Sequence, residues 1–95
     1  MPIFTQTDLA KEDLLEIWLY IARDSIQNAD SFIDKIEAKF RLLAENPLIG
    51  TEHPDFSIPL RSFPVDNYLI FFNVNENGIV IYRVLNAARD VPRLL

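Results

Sequence analysis

The sequence contains no cysteine and only two glycines among its 95 residues. Without cysteine the chain cannot form disulfides, thiolate metal sites or a thiol nucleophile. Gly50 and Gly78 alone cannot supply the glycines of a Walker loop or of a dinucleotide-binding fingerprint. His53 is the one histidine, and the carboxylates are scattered without metal-ligand spacing. We therefore expect neither a metal nor a cofactor.

Long apolar runs are also missing. The stretches 68–72 and 79–82 are much shorter than the roughly 20 residues that a membrane-spanning helix needs. The first residues lack the basic region and the apolar stretch of a signal peptide. These features predict a cytoplasmic protein with no membrane partner. The length and the composition, with 49% apolar and 24% charged residues, predict one globular domain over residues 1–95.

The net charge of −5 argues against direct, sequence-specific binding to nucleic acid, because that binding usually needs a basic surface. The charge is unevenly distributed. Residues 1–56 carry five basic and eleven acidic groups, whereas residues 57–95 carry four arginines, no lysine and three acidic groups. Arginine suits planar, bidentate contacts with carboxylate or phosphate. The arginines of the second part are therefore candidate binding residues, although ordinary surface arginines would give the same composition.

Apolar spacing predicts two helices in the first half of the chain. Apolar residues recur every three or four positions from Asp8 to Arg23 and again from Asn28 to Glu45, which is typical of amphipathic helices. Asn46 and Pro47 end the second helix, since proline disfavours helical geometry in the residue before it. Only residues 24–27 join the helices, so we expect an antiparallel helical hairpin.

The second half predicts a sheet. Residues 48–57 show no periodicity and are interpreted as a loop. Residues 58–65, 68–74 and 79–85 are rich in β-branched and aromatic side chains, and short Asn, Asp and Gly turns join them. Residues 2–5 could add a fourth, edge strand. The predicted fold class is α+β, with an N-terminal edge strand and an antiparallel helical hairpin packed on a three- to four-stranded antiparallel sheet.

Both faces of this sheet are predicted to be apolar. Along the middle strand, Ile70 and Phe72 alternate with Leu69 and Phe71. The helical hairpin can cover only one face, so the other is expected to be exposed and to serve a protein partner or a homodimer. The alternative is that the long helices and the C-terminal tail cover it.

Five motifs follow one another over nearly the whole chain. They are Ala10-x-x-Asp13-Leu14-x-x-Ile17-x-x-Tyr20-Ile21, Ala29-x-x-Phe32-x-x-x-Ile36, Leu43-x-x-x-Pro47-x-x-Gly50, Leu60-Arg61-x-Phe63-x-Val65-x-x-Tyr68-x-Ile70-x-Phe72 and Ile81-x-Arg83-Val84-Leu85-x-x-x-Arg89-Asp90. Their order and spacing resemble a known family, the ParE branch of the ParE/RelE superfamily of type II toxin-antitoxin toxins.

The resemblance implies a toxin that is neutralised by a ParD-like antitoxin and that inhibits DNA gyrase by binding. Two alternatives stay open: a RelE-like, ribosome-dependent mRNA endoribonuclease, and a degenerate toxin that only binds its antitoxin. Cleavage of RNA needs a base, an acid and clustered cations. The predicted sheet has no lysine, and His53 lies in the crossing loop without an evident partner. These features favour a toxin without catalysis of its own, and no catalytic residue is assigned.

The resemblance and the residue types together select five candidates for binding the antitoxin or the target: Arg61, Arg83, Arg89, Tyr20 and Tyr68. Arg83 lies in phase with Ile79, Ile81 and Leu85, so it could meet an antitoxin carboxylate or close an internal ion pair, for example with Asp90. Arg89 and Asp90 could equally form a structural clamp. Two positions depart from the family pattern: Asn86 stands where many relatives carry histidine, and Ala88 stands where arginine is frequent.

Overall fold

The computed structural model describes residues 3–94. Its helices and strands follow the predicted order, with two short additions. They are β1 (Ile3–Gln6), α1 (Asp8–Ala22), α2 (Ile26–Glu45), β2 (Thr51–His53), β3 (Leu60–Val65), β4 (Tyr68–Asn75), β5 (Gly78–Asn86) and α3 (Val91–Leu94). The α+β class and the helical hairpin predicted from the sequence are confirmed. Pro2, which was included in the predicted edge strand, lies outside the described residues.

Side-chain caps fix the starts of the two long helices. The Thr7 hydroxyl accepts a hydrogen bond from the Ala10 amide at 3.0 Å and donates one to the Tyr82 carbonyl oxygen at 2.8 Å, so it caps α1 and also ties α1 to β5. The Ser25 hydroxyl accepts from the Asn28 amide at 3.1 Å. This cap starts α2 two residues earlier than predicted and shortens the linker. Within the described part of the chain, no helix is both long and apolar enough to cross a membrane.

The sheet has five strands in the order β1-β5-β4-β3-β2. β3, β4 and β5 form the predicted antiparallel meander. β1 runs parallel to β5, whereas the sequence predicted an antiparallel sheet throughout. A parallel neighbour requires a long connection, and the helical hairpin together with the meander provides one. β2 adds a second edge, antiparallel to β3, in the segment predicted to be a loop. This strand was not predicted, because three residues are too few to show the alternation of apolar and polar side chains that is typical of a strand.

The main core lies between the helical hairpin and one face of the sheet. The predicted stripes of α1 and α2 supply Ile17, Ile36, Phe40 and Leu43, and the sheet supplies Ile70, Phe72, Ile79, Ile81 and Val84. Phe4 of β1 packs on Phe40 with ring centroids 5.4 Å apart. Burial of these side chains supplies most of the favourable free energy of folding.

The other face of the sheet is covered by the chain itself. Phe71, Leu60 and Leu85 are buried there in a second cluster, where Phe56 and Val91 pack against them. Phe56 comes from the connection between β2 and β3, and Val91 begins α3. The expectation of an exposed apolar sheet face was therefore wrong, because two short segments without helical or strand periodicity fold over it.

A β-bulge changes the phase of β5. Phe71 lies opposite Arg83 and Phe72 lies opposite Ile81, so Tyr82 is an extra residue in β5. As a result Ile81 faces the helices, whereas Leu85 belongs to the cluster on the opposite face. The prediction that Arg83 lies on the same face of the sheet as Ile79, Ile81 and Leu85 was therefore wrong.

Candidate functional site

Three of the five candidate residues line one small pocket. Tyr20 of α1, Tyr68 at the start of β4 and Arg89 after β5 surround a volume of about 40 Å³, together with Glu16 and Asp90. Asp13, Ile17 and Val84 complete the lining. The pocket exists because α1 crosses the sheet at the end where β4 begins and β5 ends. The tertiary structure thus joins residues that are far apart in the sequence, such as Tyr20 and Arg89, which are separated by 69 positions.

Asn86 builds the turn that presents Arg89. Its side-chain oxygen accepts hydrogen bonds from the amides of Ala88 at 3.1 Å and Arg89 at 3.0 Å. The Asp90 carboxylate returns to accept from the Asn86 amide at 3.2 Å. An asparagine at the start of a tight turn commonly makes such bonds with the following backbone. The departure from the family pattern at position 86 therefore has a structural role in this chain.

Arg89 and Tyr20 form the accessible part of the pocket. The Arg89 side chain is 65% exposed, and its Nε donates to Asp90 Oδ1 at 3.2 Å. An exposed ion pair of this kind is worth little energetically, so a partner carboxylate can compete for the guanidinium. Tyr20 is exposed, and the Arg23 guanidinium lies 5.8 Å from the centroid of its ring. This end of the pocket combines aromatic surface with positive charge.

Tyr68 forms the inner wall of the pocket. Its ring packs on Phe32 of α2, with the centroids 5.7 Å apart. Burial raises the pKa of the Tyr68 phenol above its usual value of 10.0, and the nearby positive charge of Arg89 only partly opposes this effect. The phenol consequently stays protonated at neutral pH. It can donate a hydrogen bond to a partner, but it is a poor general base.

Arg83 lies behind the pocket and is bound by Asp13. Its Nε and one terminal nitrogen donate to the two oxygens of the Asp13 carboxylate at 2.8 and 2.9 Å. The Val84 amide donates to the same carboxylate at 3.0 Å. The hydrogen bonds to Asp13 raise the pKa of Arg83 above its normal value. The predicted internal ion pair exists, but its partner is Asp13 rather than Asp90.

The role of Asp13 was missed in the sequence, although a signal was present. Asp13 lies three residues after Ala10 and four before Ile17, on the buried stripe of α1. A carboxylate in such a position must be paired, because burial of an unpaired charge is costly. The stripe therefore indicated a buried ion pair, and only the fold identified the cation.

Arg61 lies at the other end of the sheet and does not join the pocket. It pairs with Phe72 in the register of β3 and β4, four positions from the pair formed by Tyr68. Its guanidinium donates to Glu52 at 2.8 Å and to the backbone carbonyl oxygens of Leu48 and Ile49. These bonds attach the segment after α2 to the edge of the sheet.

His53 has a partner, contrary to the expectation from the sequence. It belongs to β2, and its Nε2 lies 2.7 Å from the Ser62 hydroxyl. Its ring stacks on Phe56 with the centroids 5.4 Å apart. The histidine thus fastens the β2 edge to β3 and supports the second core cluster. Among residues 3–94, no group of three or more His, Cys, Asp or Glu side chains is placed to hold a metal ion.

Comparisons with known proteins agree with the order of these elements. The family described as ParE toxin of type II toxin-antitoxin system, parDE, matches residues 4–91. Toxin ParE3 of Caulobacter vibrioides is 25% identical over 72 residues, which are 76% of this chain and 72% of that toxin. A solved chain of the chromosomal ParDE TA system from P. aeruginosa superposes with a TM-score of 0.72 at 21% identity, and the match covers 90% of this chain and 96% of that chain. This structural similarity concerns the fold.

Proposed function

Because this chain belongs to the family of ParE toxins of type II toxin-antitoxin systems, we propose that a ParD-like antitoxin neutralises it and that it inhibits DNA gyrase by binding. The observation that carries the proposal is the pocket formed by Tyr20, Tyr68 and Arg89. It offers an exposed guanidinium, an exposed ring and a protonated phenol, which are groups that commonly anchor protein interfaces. We place both encounters in the cytoplasm.

The chemistry of the pocket supports binding over RNA cleavage. A cleaving enzyme needs a base, an acid and cations directed at the reacting phosphate. Because burial raises the pKa of Tyr68, its phenol stays protonated at neutral pH and almost no phenolate is available to act as the base. Arg83 and Arg61, two of the candidate binding residues, are bonded to Asp13 and Glu52. Arg89 remains as the accessible cation of this pocket.

The same pocket explains how one antitoxin could block the toxin. Arg89 can exchange its weak pair with Asp90 for a carboxylate of the antitoxin, and Tyr20 supplies aromatic contact area beside it. A segment that occupies these groups would also exclude the target. Neutralisation and toxicity then depend on the same side chains.

The first experiment is a supercoiling assay with purified gyrase, relaxed plasmid and the titrated chain, in which linear DNA is measured after treatment with detergent and protease. We expect linear DNA to accumulate with the wild-type chain. Arg89→Ala and Tyr20→Ala should reduce this accumulation about tenfold, which corresponds to the loss of one interface anchor. Arg41→Ala is the matched control, because Arg41 is an exposed arginine on α2, away from the pocket.

Two other outcomes would replace the proposal. If folded chain leaves supercoiling unchanged but cuts messenger RNA on ribosomes, the RelE-like alternative is correct. If it does neither and still binds its antitoxin, the chain is a degenerate toxin. In that case Asn86→His tests the departure from the family pattern, and restored growth arrest would identify position 86 as the cause.

A further inference from the structure

The outward face of α1 is apolar. Leu15 and Leu19 are 58% and 53% exposed, although they lie on the helix that also supplies Ala10 and Ile17 to the core. At about 100° per residue, Leu15 and Leu19 lie on the side of the helix opposite Ala10 and Ile17. They are one turn apart, so their side chains adjoin each other. We call this pair the leucine face.

Charged residues flank the leucine face on one side. Glu12 lies one turn before Glu16, and Arg23 follows the last turn of α1 with helical backbone angles. On the helix surface, Glu12, Glu16 and Arg23 fall within about 40° of one another. All three are exposed, and none belongs to an ion pair among the residues that the structure describes. The leucine face therefore has an acidic border at its N-terminal end and a basic border at its C-terminal end.

We propose that the leucine face binds the leucine face of a second copy of this chain, with the two α1 helices antiparallel. The midpoint between Leu15 and Leu19 is at the level of Ile17. Glu12 lies five residues before that level and Arg23 lies six residues after it, which is about 7.5 and 9 Å along the helix. In an antiparallel pair the same flank of each helix meets across the interface. A two-fold axis at Ile17 therefore brings Glu12 of each copy to Arg23 of the other.

Charge complementarity selects this occupant. In a parallel arrangement the same flank of the two helices would lie on opposite sides of the interface, so Glu12 of one copy would not reach Arg23 of the other and neither opposite-charge pair would form. The antiparallel arrangement forms two opposite-charge pairs and one unfavourable contact, in which the two Glu16 side chains approach near the axis.

The four leucines of the two copies make a small interface. The dimer is consequently a weak one that forms at roughly high micromolar concentration.

The test is sedimentation of the purified full chain over a concentration series that reaches the millimolar range. We expect a reversible monomer-dimer equilibrium. Leu19→Glu should raise the dimer dissociation constant about 100-fold, because two buried leucines are lost in each dimer. Leu48→Glu is the matched control, since Leu48 is 74% exposed and lies in the segment after α2. It should leave the dissociation constant unchanged.

Charge variants test the antiparallel geometry separately. Glu12→Arg and Arg23→Glu should each weaken the dimer about fivefold, and the two changes combined in one chain should restore it. Glu16→Gln should strengthen it about threefold, because it removes the repulsion at the axis. Circular dichroism confirms that each variant is folded.

Several results would overturn the proposal. They are a chain that stays monomeric at every concentration, a dimer that Leu19→Glu does not weaken, and a double charge variant that is no tighter than the single ones. Binding of a different protein to the leucine face of a monomeric chain would also overturn it. None of these results depends on gyrase, so the proposed function and the dimer can fail independently.

Discussion

Removal of the Asp13 carboxylate should destabilise the fold more than any surface substitution. Asp13 accepts three hydrogen bonds, two from Arg83 and one from the Val84 amide. Its side chain is 8% exposed and that of Arg83 is 21% exposed. Asp13→Ala leaves the guanidinium and the amide without their acceptor. Loss of one partner of a buried pair costs about 3–5 kcal/mol.

We expect about 3 kcal/mol for Asp13→Ala, at the lower end of that range, because Arg83 retains some access to water. For a domain of this size, a loss of 3 kcal/mol lowers the melting temperature by about 15 °C. Urea unfolding followed by circular dichroism measures the free energy directly. Asp13→Asn should cost less, since its amide keeps one acceptor oxygen of similar shape.

The double variant Asp13→Leu/Arg83→Met tests whether Asp13→Ala is destabilised by the unpaired Arg83 guanidinium or by any change at this position. Replacement of a whole buried pair by apolar side chains of similar size is often nearly neutral. We therefore expect the double variant to be more stable than Asp13→Ala. The reasoning would be refuted if Asp13→Ala lost less than about 1 kcal/mol, or if the double variant were as unstable as the single one.

Two further predictions concern Gly50 and Tyr68. Gly50 has a φ of 95°, and an added Cβ would collide with the Ser62 carbonyl oxygen, so Gly50→Ala should cost about 2–3 kcal/mol in urea unfolding. A loss below about 0.5 kcal/mol would contradict this, and Thr51→Ala serves as the control. Because the pKa of Tyr68 is higher in the folded than in the unfolded chain, protonation of its phenol favours the folded state. This contribution to the free energy of unfolding is complete below pH 10, and it disappears as the pH rises through the pKa that Tyr68 has in the folded chain. An ultraviolet titration should show a late phenolate component that Tyr68→Phe removes.

The local elements of this protein follow from its sequence. The apolar spacing of residues 8–23 and 28–45 gave the helices to within two residues at each end, because a stripe of period 3.6 directly reflects burial on one side. The turn residues 66–67 and 75–78 likewise gave the meander, because Asn, Asp and Gly tolerate the backbone angles of tight turns. Asp66 indeed has a φ of 51°.

The candidate site could be predicted only in part. The residue types of Tyr20, Tyr68 and Arg89 were recognised, but their meeting in one pocket depends on where α1 crosses the sheet. The partners of Arg83 and Arg61 are 70 and 9 positions away in sequence, and no local pattern relates a cation to a carboxylate at such separations. For the same reason the interaction of His53 with Ser62 was not foreseen.

Sequence alone determined the helices, the meander and the apolar character of both sheet faces, since these depend on the spacing of side chains along one segment. Only the tertiary structure decided what covers the second face, where the bulge falls in β5, and which carboxylate binds each arginine. Those properties depend on contacts between segments that are distant in the chain. A single extra residue in β5 reverses the side to which the side chains after it point, and no composition or periodicity of the strand reveals it.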